Sequence, residues 1–185
     1  IGSRSIPKTK AEWFYAPETS YACVTNGRLF YHSGSEFEKI REGLKQYYPE
    51  DVRLKKIAAR AVTMAQAGQY NYVRCMKRND MVAAFLALSE FVKATCSMLH
   101  LLNKRYMPFY KWAFRSMEQL SVLGKTAHNK GQADSEKPTE NFSWKRIAEN
   151  LKLLAEEPQN NKNADIIERI CVAVKEELQR QHLTS

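Results

Sequence analysis

Between Leu54 and Cys75 small or apolar side chains return every three or four residues: Leu54, Ile57, Ala58, Ala61, Met64, Ala65, Gly68, Tyr72 and Cys75. A strand alternates with a period of two, so this stretch can gather one continuous apolar face only as a helix. A second stripe of the same kind follows a short polar turn: Phe85, Leu88, Val92, Cys96, Leu99 and Leu102. Two long amphipathic helices on a short connection have to bury those stripes against each other or against further helices. The fold class expected is therefore mainly α, a helical bundle of about five to six helices.

Local signals divide the rest of the chain. Ser35 with Glu38 suits a capping box and opens a short helix to about Gln46, and Pro49 with Glu50 and Asp51 starts the helix that runs to about Lys77, with Gly68 as a break point. Asn79 suits the N-cap of a helix from Asp80 to about Asn103. Pro108 fits the start of another, with Trp112, Ala113, Met117 and Leu120 facing inward. Two more amphipathic helices are expected at about 142–157 and 164–182. Upstream, YACVTNGRLFYH (residues 21–32) reads as two short strands joined by Asn26-Gly27, a small N-terminal β-hairpin. The expected organisation is a tail and hairpin at 1–34, a bundle core at 35–123, a polar linker at 124–141 and a C-terminal helical pair at 142–185.

Charge narrows the partners. From Arg53 to Arg115 there are twelve Lys or Arg and two acids, Asp80 and Glu90, in a chain of net charge +9. Uncompensated positive charge on a folded surface favours an anionic partner. The same stretch ends in LLNKRYMPFYKW, where cations alternate with aromatics, as in sites that combine stacking with phosphate contact. No GxxxxGK[ST] loop and no GxGxxG after a strand occurs, and the four histidines are far apart, so no metal site is expected in this chain. Scattered cysteines without a CxxC pair suggest reduced thiols and a cytoplasmic location. No apolar run is expected to cross a bilayer, and no membrane partner is expected.

Three groups of residues could carry chemistry. Glu90 lies in a strip of small residues (Ala83, Ala87, Ala94 and Ser97), which fits either close helix packing or a cleft wall with a carboxylate that acts as a base. Tyr72, Arg74, Arg78 and Asp80 cluster at a helix join; Asp80 fits a first-turn acid, or Arg74 and Arg78 contact phosphate while Tyr72 stacks. Tyr106 and Lys111 belong to the aromatic and basic run, where stacking on a ligand and filling the core are both open. His100, on an apolar helix, reads as a satisfied core residue.

The stretch from TNGRLFYHSGSEFEK to VRCMKRND, followed by LNKRYMPFYKW, resembles an uncharacterised helical domain found behind a nucleotidyltransferase-fold domain, within the wider aminoglycoside and kanamycin nucleotidyltransferase-like group. The similarity covers about residues 11–125, with YYPEDVRLKKIAAR, the Tyr72 to Asp80 cluster and LNKRYMPFYKW as its most specific parts. It implies a helical substrate- or nucleotide-binding domain whose catalytic half lies upstream or has been lost. Gly2-Ser3 is followed by no Asp-x-Asp or Asp-x-Glu, so the metal-binding carboxylates are not in this chain and it is expected to be inactive alone. Mg and a nucleoside triphosphate are expected only with such an upstream domain. The resemblance places Tyr72, Arg74, Arg78, Tyr106 and Lys111 on substrate, and Glu90 or Asp80 as the base. The partners expected are an anionic small molecule or nucleotide; the alternative is a non-catalytic module that binds RNA through its basic face or forms a homodimer.

Overall fold

The computed structural model describes residues 5–30, 36–123 and 147–184. Among them every regular element is a helix: α1 (Lys10–Tyr15), α2 (Glu18–Thr25), α3 (Glu36–Lys45), α4 (Glu50–Met64), a π-helical segment (Ala65–Tyr72), α5 (Val73–Lys77), α6 (Met81–Leu102), α7 (Tyr110–Met117), α8 (Ile147–Glu156) and α9 (Asn163–Arg180). The backbone continues from α4 through the π segment into α5, making one rod, so among the described residues there are eight rods where five or six helices were expected.

The expected β-hairpin is not seen. Tyr21 to Thr25 belong to α2, and no strand occurs among the described residues. A type I′ turn needs positive φ at both central residues, but Asn26 sits at φ −74 as the C-cap of α2 and only Gly27 is left-handed, at +70. The carbonyls that would seek a second strand are taken by one side chain. Arg41 donates from Nε to the Val24 carbonyl and from Nη2 to those of Thr25 and Gly27. A guanidinium is a fork of donors, and here it closes a helix end.

The long rod and α6 form the antiparallel centre, and α9 packs against the π segment. Gly68 makes that approach possible. A Cβ there would lie 2.4 Å from Phe91 Cδ2 and 2.8 Å from Ile167 Cγ2, so the missing side chain lets α6 and α9 touch the rod at one level. The expected break at Gly68 is thus a widened turn inside a continuing helix, a form often caused by one inserted residue.

On α6 the expected stripe holds except at Phe85, with Val92 half-buried against the core. Leu88, Cys96, Leu99 and Leu102 are buried, together with Phe91, Met98 and Leu101, each worth about 2 kcal/mol in removed apolar surface for the larger side chains. Phe85 is 54% exposed, beside Val82 and Leu86. Trp112, also expected inside, is 57% exposed on α7, whereas Ala113, Met117 and Leu120 face the core. Asn79 is the left-handed residue after α5 (φ 58), and Asp80 is the N-cap of α6, accepting from the Ala83 amide at 3.1 Å. By length and composition alone α6 is apolar enough to cross a bilayer, contrary to expectation; half of that stretch is buried inside the protein.

The pair α8–α9 closes the bundle with Leu151, Leu154, Ile167 and Ile170. The expected linker at 124–141 and the start of the first C-terminal helix, at 142–146, lie outside the described residues. The pair is fastened by polar side chains as well as by its apolar stripe. Asn163, buried, donates to the Tyr72 hydroxyl and to the Glu157 carbonyl. Arg53, 2% exposed, reaches the Leu101 carbonyl, Glu50 and Gln181, joining α4, α6 and the end of α9.

A candidate anion-binding cavity at the end of α6

Where α6 ends, the chain turns sharply. The Arg105 amide donates to the His100 carbonyl and the Lys104 amide to that of Leu101, with Lys104 left-handed at φ 51. This is a Schellman closure, in which glycine is the usual left-handed residue. Asn103 holds the turn to the segment after α7. Its amide nitrogen donates to the Leu99 and Val122 carbonyls, and its oxygen accepts from the Val122 amide. Lys104, Arg105 and Tyr106 are thereby fixed on the wall of a cavity of about 560 Å³.

The other walls come from the ends of α2 (Thr25, Asn26), α3 (Lys45, Tyr47) and α7 (Ser116, Gln119). Behind the lining lies an aromatic cluster, in which Tyr106 meets Tyr21, Tyr47 and Tyr48 tilted or edge-on with centroids 4.8 to 5.2 Å apart. Of these, Tyr47 and Tyr106 line the cavity. Burial, then neighbouring charge and phenols, pushes the hydroxyl pKa values of Tyr47, Tyr48 and Tyr106 far up, so the cluster stays neutral. Glu18, beside it, accepts the Met107 amide at 3.0 Å; burial raises its pKa against the pull of that bond and of Lys56 and Arg60.

The sign of the site follows from counting opposed effects. Four helices end at the cavity, and each C-terminus carries at most about half a negative charge. Against roughly −2 from dipoles and two carboxylates, Glu18 and Glu42, stand Arg41, Lys45, Lys104 and Arg105. The opposed charges come out about even by this count, so the local sign depends on which cations lack a partner. Lys45 is held by Glu42 at 2.6 Å. Among the described residues Lys104 and Arg105 have no carboxylate partner within ion-pair distance, so these two cations are the ones available to an anion.

His100 and Ser116 meet behind the same wall. His100 is fully buried; its Nδ1 lies 2.7 Å from the Cys96 carbonyl and its Nε2 3.0 Å from Ser116 Oγ. A carbonyl can only accept, so Nδ1 carries the proton and Nε2 accepts from the Ser116 hydroxyl. Burial lowers the histidine's pKa and keeps the ring neutral. The reading of His100 as a satisfied core residue agrees with this geometry.

The residues singled out from the sequence are divided between the two ends of α6, a rod of 22 residues and about 33 Å long. Tyr106 lines the cavity, and its hydroxyl donates to the Leu44 carbonyl. Lys111 is exposed on the first turn of α7, outside the cavity lining. At the far end Arg74 packs over the Tyr70 ring, 4.8 Å from its centroid, and Arg78 is the exposed C-cap of α5. Asp80 is spent on the N-cap of α6, and Glu90 is exposed and paired with Lys93 at 3.4 Å. Tyr72 is 1% exposed, with its hydroxyl donating to the Pro158 carbonyl at 2.9 Å, so no face is left for a ligand to stack on. The run LNKRYMPFYKW did contain Lys104, Arg105 and Tyr106. Nothing in the sequence pointed to Ser116, whose contact with His100 depends on how α7 crosses α6.

The geometry defines a helical domain with a cavity, lined by Lys45, Lys104, Arg105 and two tyrosines, formed where four helices end. The chain belongs to the family described as Domain of unknown function (DUF4037), whose model matches residues 13–113. That span runs from α1 into α7 and includes much of the cavity. No curated protein and no solved structure matches the chain.

Proposed function

We propose that this chain is a helical substrate- or nucleotide-binding domain of a nucleotidyltransferase-like protein, and that it holds the phosphate-bearing end of its ligand in the cavity at the end of α6. The observation that carries the reading is the placement of Lys104 and Arg105, free of carboxylates among the described residues, on one wall beside Tyr106. Guanidinium and ammonium groups on a short, pinned turn are pre-organised for phosphate oxygens.

The phosphates of a nucleoside triphosphate fit these cations. Among the described residues no three His, Cys, Asp or Glu side chains come together, and Asp80 and Glu90 lie away from the cavity. No chemical step is therefore assigned to this chain.

The test is titration of ATP into the protein at low and at high salt. Binding is expected at low salt and weakens as salt rises. A Lys104→Gly, Arg105→Ala double variant loses at least tenfold in affinity, while glycine keeps the left-handed turn intact. Undetectable binding at low salt overturns the reading.

A second reading, a non-catalytic module that forms a homodimer or binds RNA, is favoured by two other surfaces. Val82, Phe85 and Leu86 leave an apolar face on α6, and Phe109, Tyr110 and Trp112 stand exposed around Lys111. Sedimentation that is concentration-dependent in the protein and monomeric in Leu86→Glu supports assembly. Tight RNA binding with steep salt dependence supports the other branch.

A further inference from the structure

We infer that the cavity takes a phosphate monoester that also carries hydroxyl donors, a sugar phosphate or the sugar-phosphate end of a nucleotide, with Ser116 Oγ accepting from a ligand hydroxyl. This rests on the anion reading above and adds which half of each hydrogen bond the protein supplies.

Four hydroxyls belong to residues that line the cavity, and each has its proton committed elsewhere. Thr25 donates to the Tyr21 carbonyl at 2.8 Å. Tyr47 donates to the Arg105 carbonyl at 3.1 Å and Tyr106 to the Leu44 carbonyl at 2.9 Å. Ser116 donates to His100 Nε2, because Nδ1 is bound to the Cys96 carbonyl and the ring has a lone pair only on Nε2. None of the four can donate to a phosphate oxygen without breaking its bond. Of these four oxygens, that of Tyr106 lies in a buried bond, whereas Thr25 and Ser116 are partly exposed and have lone pairs left.

The wall is therefore asymmetric. Lys104 and Arg105 offer donors only, and Ser116, held by a buried histidine, offers an acceptor. A bare anion uses one side. A ligand with an anion at one end and hydroxyls along its length uses both.

Ribose 5-phosphate and propyl phosphate separate the two claims, since both are phosphate monoesters of like charge and only one has hydroxyls. The protein is expected to bind ribose 5-phosphate about tenfold more tightly by calorimetry, roughly what one good hydrogen bond contributes. Ser116→Ala is expected to bring the two affinities together and leave propyl phosphate unchanged; Ser116→Thr keeps the preference. Should Ser116→Ala fail to fold, the wild-type comparison and Ser116→Thr decide. Equal affinities in the wild type, or a preference that Ser116→Ala retains, overturn the inference and leave the anion reading standing. Binding of neither probe overturns both.

Discussion

Two buried residues show how single polar atoms are handled in this bundle. Tyr48 is 5% exposed and its hydroxyl meets no hydrogen-bond partner among the described residues, while its ring takes part in the aromatic cluster and lies under the Lys56 ammonium. An unmatched buried hydroxyl costs about 1–3 kcal/mol, so Tyr48→Phe is expected to raise stability by about 1 kcal/mol, read as a higher urea midpoint at unchanged m. His100 behaves oppositely, since both its nitrogens are bonded. Its folded pKa is lowered by burial, so the unfolded chain takes up a proton before the folded one does. The stability it contributes is complete above the unfolded value of about 6.5 and is lost as pH falls through that value toward the folded one. Glu18, raised by burial, works in the reverse sense and at lower pH. Urea unfolding at pH 8, 6.5 and 5.5 is expected to fall in midpoint, and His100→Gln to flatten that fall.

At the scale of helices, the stripe in the rod was legible because its period is a property of the sequence, and the start at Pro49 and Glu50 was legible because caps use local chemistry. The ends were not. The rod, α6 and α9 each close with the same pair of hydrogen bonds, and their left-handed residues are Asn79, Lys104 and His182, with no glycine among them. A lysine or histidine there gives no stop signal, and Asn79 invites the N-cap reading. The hairpin error has a similar source, because Asn-Gly serves a helix C-terminus as readily as a turn, and Arg41, 15 residues on, made the choice. The cavity was legible only in its cations and Tyr106; Tyr72 has the composition of a stacking residue and the environment of a core one. Gly68 was noticed for the wrong reason, as a weakness in a helix. Gly68→Ala would drive a methyl group into the Phe91 ring and Ile167, and is expected to cost about 2–3 kcal/mol in chemical denaturation, whereas in an open helix the same change would stabilise.

For the whole molecule, charge proved more dispersed than its density along the chain implied. Arg53 is structural, Arg60 donates to Ser97, Lys93 pairs with Glu90, and Arg74 and Arg78 sit at the opposite end from Lys104 and Arg105. One long helix therefore separates two basic ends that the sequence runs together. The position of α8 and α9 has a consequence for where the family begins and ends. The matched span stops at Ala113, yet Arg53 inside it leans on Gln181, Tyr72 is bonded to Asn163 and to the Pro158 carbonyl, and Gly68 is covered by Ile167. Cut after Leu123, the protein would have to hydrate a guanidinium set among core leucines and a groove shaped for isoleucine. Such a fragment is expected to keep its far-ultraviolet helix signal and lose its near-ultraviolet tyrosine signal, as a span that needs α8 and α9 in order to pack.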